Sequence, residues 1–381
     1  MRSVRLLLVA TLLVWVGTPA LAQSWAIRMA DATIDRNPVV HKEWDYTAGV
    51  VLLGMERLAA ATKNAKYSDY VQRNIDALVR PDGTIATYEL EEFNLDQINE
   101  GRLLFGLYAR TRDQKYRKAL ELLREQLHKH PRTKEGGFWH KKIYPHQMWL
   151  DGVYMAGPFL AQYGKTFNDT SAFNDVAHQI LLIARNTRDA QTGLLYHGWD
   201  EAREQVWANR DTGRSPNFWG RAVGWYAMAI VDVLDYLPAA HRDRAAIIGI
   251  LRDLAAAVAA VQDPVTGLWY QVLDQPTRAG NYSEASASSM FVYAFAKAAR
   301  HGWIDSRYLQ NARRGHEGLT RHMTSADSLG RISLDRIVAV SGLGGKQQRN
   351  GSFEYYISEP VVSNDYKGVG AFILASIEVG R

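Results

Sequence analysis

The sequence contains no cysteine. Disulfides are therefore excluded as a source of stability, no thiol is available for lipid attachment, and the apolar core alone must hold the fold. The longest early apolar run, Leu6 to Gly17, falls short of the roughly 20 residues a membrane-spanning helix needs, and no later segment comes closer. No block of Lys or Arg is long enough for a nucleic-acid tail, and the formal charge of +5, to which Arg2 and Arg5 contribute, is mild. No Pro/Gly/Ser-rich linker divides the chain. H-E-x-x-H spacing, Gly-rich phosphate loops and a G-x-S-x-G elbow are all missing, so neither a metal nor a cofactor is expected. The "GLGG" at Gly342–Gly345 lacks the lysine and helix of a phosphate loop and reads as a flexible loop.

What is present begins with "MRSVRLLLVATLLVWVGTPALAQ". Two arginines, an apolar run and a small-residue site ending in Ala22 predict a cleaved leader over residues 1–22 and a periplasmic or secreted product. The chain also carries 11 Trp and 19 Tyr. Aromatic faces pack on the apolar face of a pyranose, although they are equally ordinary core material.

Six phrases rich in small residues and aromatics each open a helical pattern: "WDYTAGVVLLGMERL", "INEGRLLFGLYART", "LDGVYMAGPFLAQYG", "GRAVGWYAMAIVDVLDYL", "EASASSMFVYAFAKAARHG" and "KGVGAFILASIEV". Amphipathic stripes lie between them, such as Tyr116, Leu120, Leu123 and Leu127, or Ile247, Leu251, Leu254, Val258 and Val261. The connections "DAQTGLLY" and "DPVTGLWY" resemble each other, with turn chemistry followed by an extended apolar run. A repeat of roughly 50–80 residues, each a helix pair, indicates a solenoid or a closed ring. With an initial helix over 24–36 the count is about twelve, which predicts an all-α (α/α)6 barrel formed by residues 23–381 as one catalytic domain. An open superhelix would show the same periodicity.

In a closed ring the apolar-all-round helices are inner, and the polar residues at their N-terminal ends gather at one mouth. Those residues are Trp44, Asp45 and Tyr46; Asn94, Asp96 and Asn99; His146, Trp149 and Asp151; Trp219, Arg221 and Trp225; Tyr282 and Glu284; and Asp365, Tyr366 and Lys367. Loops add Lys141 and His197. Singly each is weak, because an Asp at a first helical turn is more often a cap than a catalyst. Together they offer rings to stack on, cations to hold a carboxylate and acids to move protons, which is the chemistry an acidic sugar calls for.

The segments "NLDQINEGR", "HKKIYPHQMWLDGVYMAGPF", "YHGWDE" and "FWGRAVGWYAMA", in this order, resemble the unsaturated rhamnogalacturonyl hydrolases of glycoside hydrolase family 105. The resemblance implies an (α/α)6 barrel that removes the 4,5-unsaturated uronic acid from lyase-generated pectin oligosaccharides. It implies Asp151 as general acid/base, with Asp96, Tyr46, Lys141, Trp149, His197, Trp219, Arg221 and Trp225 around the substrate. It further implies hydration of a vinyl ether, for which the carboxylate-spacing rule of ordinary glycosidases does not apply. The unsaturated glucuronyl hydrolases share fold and chemistry, so a glycosaminoglycan-type disaccharide is the alternative substrate. Other readings are a polysaccharide lyase or ordinary glycosidase, and a non-catalytic helical repeat scaffold.

A general acid beside Trp149 needs help to stay protonated at a helix N-terminus. The expectation is that Asp96 and Asp151 share one proton while the cations are kept for the substrate's carboxylate. The sugar next to the uronate would be chosen by loops such as Arg314–Asn350. If the leader is cleaved as its sequence predicts, the protein recovered from the producing cell's periplasm or medium begins at Gln23; N-terminal sequencing that finds Met1 there would refute the export signal.

Overall fold

The computed structural model describes residues 18–40 and 42–381, and the leader predicted at residues 1–22 lies mostly outside them. Its helices are α1 (Thr18–Arg36), α2 (Tyr46–Thr62), α3 (Ala65–Asp76), α4 (Arg102–Thr111), α5 (Gln114–Lys129), α6 (Leu150–Phe167) and α7 (Thr170–Thr187). There follow α8 (Gly220–Val233), α9 (Arg244–Ala260), α10 (Ala285–Arg300), α11 (Tyr308–His322), α12 (Phe353–Ser358) and α13 (Tyr366–Val379). Six of them, α2, α4, α6, α8, α10 and α13, pack side by side in that order, and α13 returns to pack on α2. The ring is closed. Helices α1, α3, α5, α7, α9 and α11 form the outer layer, so each outer helix leads into an inner one and the fold is an (α/α)6 barrel.

The sequence explains which helix goes where. Every position of α8 is buried, as is α13 from Lys367 to Val379, because these segments are apolar on all faces. By contrast α5 buries Tyr116, Ala119, Leu120, Leu123 and Leu127 and leaves Arg117 and Lys118 to solvent. The small residues serve close approach. A Cβ on Gly370 would stand 2.6 Å from the carbonyl oxygen of Val50, and one on Gly54 would stand 3.2 Å from that of Gly370, so the α2–α13 seam that closes the ring is backbone against backbone.

The two similar connections fold alike. Asp189 and Asp263 each accept from the backbone of the turn they open, and Gly193 and Gly267 follow with φ of 75° and 74°, a region glycine enters without strain. Three features differ from expectation. The second inner element starts as a 3-10 segment, Leu95–Gly101, before it becomes α4; the short α12 has no counterpart among the expected twelve; and small two-stranded ribbons sit in the connections.

Deep in the barrel the inner helices share charges. Asp232 near the C-terminal end of α8 pairs with Arg102 of α4 and Lys297 of α10, both at 2.7 Å, and accepts from Tyr293 at 2.6 Å. Arg102 also donates to the Tyr154 hydroxyl of α6 at 3.1 Å. Burial would raise the Asp232 carboxyl, but Lys297 and then Arg102 outweigh it and hold it far below the usual carboxylate range.

Because it strands the buried Arg102 and leaves Lys297 with Asp235 alone, Asp232→Ala is expected to cost about 3–5 kcal/mol of stability, read as a lower denaturation midpoint. The carboxyl is depressed on folding, so this stabilisation is complete above its ordinary value of 3.8 and is lost as pH falls through the folded value. A midpoint unchanged between the two proteins at neutral pH would contradict the assignment.

Candidate active site

The site is built on a short ribbon. Strand β1 (Gln147–Trp149) runs directly into α6, so Trp149 precedes the helix and Asp151 stands in its first turn. Strand β2 (Gly198–Asp200) pairs antiparallel with β1, and the Leu150 amide donates to the His197 carbonyl at 3.0 Å. The pairing carries His197 to Asp151: its Nε2 lies 3.1 Å from Oδ2 of the carboxyl. The two atoms are close yet out of line for a hydrogen bond, and both are buried. Among the described residues, no cation lies within ion-pair distance of Asp151 except His197 if protonated.

Aromatic rings form one wall. Trp149 stacks on His140 at 4.3 Å and on Tyr144 at 4.9 Å, and its edge meets His197. Burial pushes the His140 imidazole down to about 4, so it is a neutral ring here rather than a cation. On the far side of His197, Trp219 lies 4.8 Å away and donates through Nε1 to Gln271 at 3.1 Å.

The acids and bases fall into distinct settings. The Lys141 ammonium is 2.6 Å from Oδ2 of Asp96, brought there by a bridge between Lys141 and Asn94. Burial would raise Asp96, but the charge and hydrogen bond of Lys141 outweigh it, and its carboxyl sits below the usual range. Asp96 is thus a paired carboxylate. This pairing counts against two expectations, that Asp96 shares a proton with Asp151 and that Lys141 is kept free for a substrate. Arg221 behaves differently. Fully buried over the Trp219 ring, it donates to the carbonyls of Val338 and Ala339 and to Ser286, makes no ion pair among the described residues, and leaves its Nε without a partner. Nearby, Lys367 pairs with Asp365 at 2.8 Å, and its pKa is lowered by burial and then by Arg221.

Tyr46 joins the two sides. Its hydroxyl is raised well above 10, first by burial and then by Asp96, with Arg221 opposing. Trp225 lies a layer deeper, 1% exposed, stacked on Tyr154 at 4.7 Å with its edge toward Tyr46. Of the other mouth residues, Asp45, Asn94, Glu284 and Asp365 are helix caps. Trp44 donates to the Gln97 carbonyl, Asn99 reaches toward that of Tyr154, and the buried Tyr282 hydroxyl has no partner. His146 is exposed and left-handed at φ 62°, resting on Trp139 away from the cluster.

Four residues of the site carried no flag in the sequence: His140, Tyr144, Gln271 and Tyr356. The first two lie inside "FWHKKIYPHQ" and could have been found by asking what stacks on Trp149. Tyr356, on α12, reaches His197 Nδ1 at 2.8 Å across 159 positions and had no local signal. Among the described residues no group of three or more His, Asp or Glu could hold a metal ion, and no helix is long and apolar enough to cross a membrane.

Comparison with known proteins gives consistent matches. The model of Glycosyl Hydrolase Family 88 matches residues 21–381. A solved glycoside hydrolase from family 105 of C. acetobutylicum is 47% identical with a TM-score of 0.91, covering 93% of this chain and 99% of that one. A protein of Agrobacterium fabrum is 42% identical over 235 residues, 59% of this chain and 97% of its own. The unsaturated rhamnogalacturonyl hydrolase YesR of Bacillus subtilis is 29% identical over 288 residues, 74% of this chain and 78% of its own.

Asp96 is already ionised wherever a carboxylate ordinarily is, so Asp96→Asn is expected to lower kcat/KM without moving the acidic limb of its pH profile. A limb displaced by about one pH unit, worth about 1.4 kcal/mol, would put a titrating proton on Asp96 after all.

Proposed function

The chain belongs to glycosyl hydrolase family 88 and, with its C. acetobutylicum relative, to family 105, and from that premise we propose that it removes 4,5-unsaturated uronic acid from the non-reducing end of lyase-generated rhamnogalacturonan oligosaccharides. The observation that carries this reading is a single carboxyl, Asp151, free of any Lys or Arg partner and 11% exposed beside an indole, while its neighbour Asp96 is bound to Lys141. An ordinary glycosidase works with two functional carboxyl groups flanking the bond. Hydration of an enol ether needs only one that gives a proton and takes one back. The relation to YesR supports the pectin-derived substrate.

In the reaction we propose, the O–H of Asp151 breaks as its proton goes to C4 of the ring. Positive charge develops at C5, water adds there, and the water's proton returns to Asp151. The hemiketal at C5 opens to a ketone and leaves at C1 a hemiacetal that expels the next sugar. Arg221, which lacks an acidic partner among the described residues, is suited to the substrate's carboxylate. Trp149 and Tyr144 offer stacking faces. Asp96 keeps Lys141 in place at the cavity, within hydrogen-bonding reach of a sugar hydroxyl. The N-terminal segment supports an enzyme working in the periplasm or the medium.

Incubation with unsaturated rhamnogalacturonan fragments should bleach the conjugated enoate absorbance and release the next sugar, with intact polymer untouched. Asp151→Asn should slow this by roughly 100- to 10,000-fold, the usual contribution of a positioned acid/base. Persistence of the chromophore with rhamnogalacturonan, oligogalacturonide and glycosaminoglycan lyase products alike would remove the proposal; bleaching of the last alone would replace its substrate.

A further inference from the structure

The two oxygens of Asp151 have unlike surroundings. Oδ2 is buried and faces Nε2 of His197 at 3.1 Å, while Oδ1 has no partner among the described residues and is the less enclosed of the two. His197 is 0% exposed, and its other ring nitrogen lies 2.8 Å from the hydroxyl of Tyr356, which is equally buried. That hydroxyl has no other partner among the described residues. If Nδ1 carried the ring proton and donated it, the phenol's own proton would be buried unpaired, at a cost of about 1–3 kcal/mol. Donation from Tyr356 to Nδ1 avoids this and puts the single proton of a neutral imidazole on Nε2, toward Asp151.

Tyr356 is itself fixed. Its ring stacks on Trp219 at 5.8 Å and 14°, its carbonyl accepts from Nε2 of Gln271 at 3.0 Å, and Gln271 in turn receives Nε1 of Trp219. Burial keeps its phenol well above the ordinary value, so the donor proton is retained across the working pH range. The three side chains form a brace between the connection that precedes α8, the connection that precedes α10 and the short α12.

We propose that Tyr356 is a positioning residue that holds His197 as the Nε2–H tautomer, so that His197 engages Oδ2 of Asp151 and Oδ1 alone delivers and recovers the catalytic proton. The Nε2–Oδ2 pair is out of line in the substrate-free geometry, as catalytic hydrogen bonds often are before substrate tightens them. The O–H bond on Oδ1 breaks as C4–H forms, and the proton of the attacking water returns to Oδ1. His197 and Tyr356 exchange no proton in either step. A doubly protonated His197 would instead hold Asp151 as the carboxylate and empty the acid of its proton. Keeping Nδ1 occupied as an acceptor guards against that state.

The inference rests on the proposed reaction, and its test separates the two. Tyr356→Phe retains the stacked ring and removes only the hydroxyl. On unsaturated rhamnogalacturonan disaccharide, kcat should fall about tenfold, the size typical of losing a partner behind a functional His, with KM within about twofold. In a His197→Ala background the same change should have no further effect. Spectra of 15N-histidine-labelled protein should show the His197 signal, identified by its loss in His197→Ala, in the Nε2–H pattern, and that pattern should collapse in Tyr356→Phe. An unchanged kcat, an equal factor in both backgrounds, or an Nδ1–H pattern in the unsubstituted protein would each overturn the assignment. Should the unsubstituted protein bleach no enoate at all, the reaction is refuted, and the tautomer spectra still decide the role of Tyr356.

Discussion

The backbone contact between α2 and α13 is what the remaining structure depends on. An inner helix that is apolar on every face has no side to offer water, so it needs a neighbour on each flank and an outer helix behind. Five seams follow from chain order, and the sixth must be made between the two ends of the inner series. Gly370 against the carbonyl of Val50, with Gly54 beside it, lets those helices approach until nothing larger than hydrogen fits. Only then do Tyr46, Asp96, Asp151, Arg221 and Lys367, from five different inner elements, gather at one mouth of the ring.

Charge at that mouth is segregated. Asp151 faces the His197 ring and stands beside the Trp149 indole, whereas the cations have their own arrangements: Lys141 with Asp96, Lys367 with Asp365, and Arg221 over Trp219 on backbone carbonyls. Of these cations Arg221 is the one held without an acid. An anionic ring laid between them would meet positive charge on one side and a carboxyl set apart from those cations on the other.

Much of this was legible in the chain itself. All six small-residue phrases became inner helices, and the stripes at Tyr116–Leu127 and Ile247–Val258 became outer ones, because burial on all faces or on one face is written in local periodicity. Capping acids were readable as caps. Pairings across distance were not. The Lys141–Asp96 ion pair depends on a single backbone bridge, and Tyr356 reaches His197 from a segment that matches no motif. The partner of Asp96 was missed for the same reason: nothing local told that the loop lysine would turn inward while Lys142 turned out.

The charged cluster of Arg102, Asp232, Lys297 and Tyr293 stoppers the lower end of the ring, with Arg102 and Asp232 each 2% exposed. The barrel is consequently a cul-de-sac rather than a tunnel. A polysaccharide cannot be threaded through it, so only a chain tip that enters head first can be taken in, and whatever is released must back out by the same door before the next tip can come in.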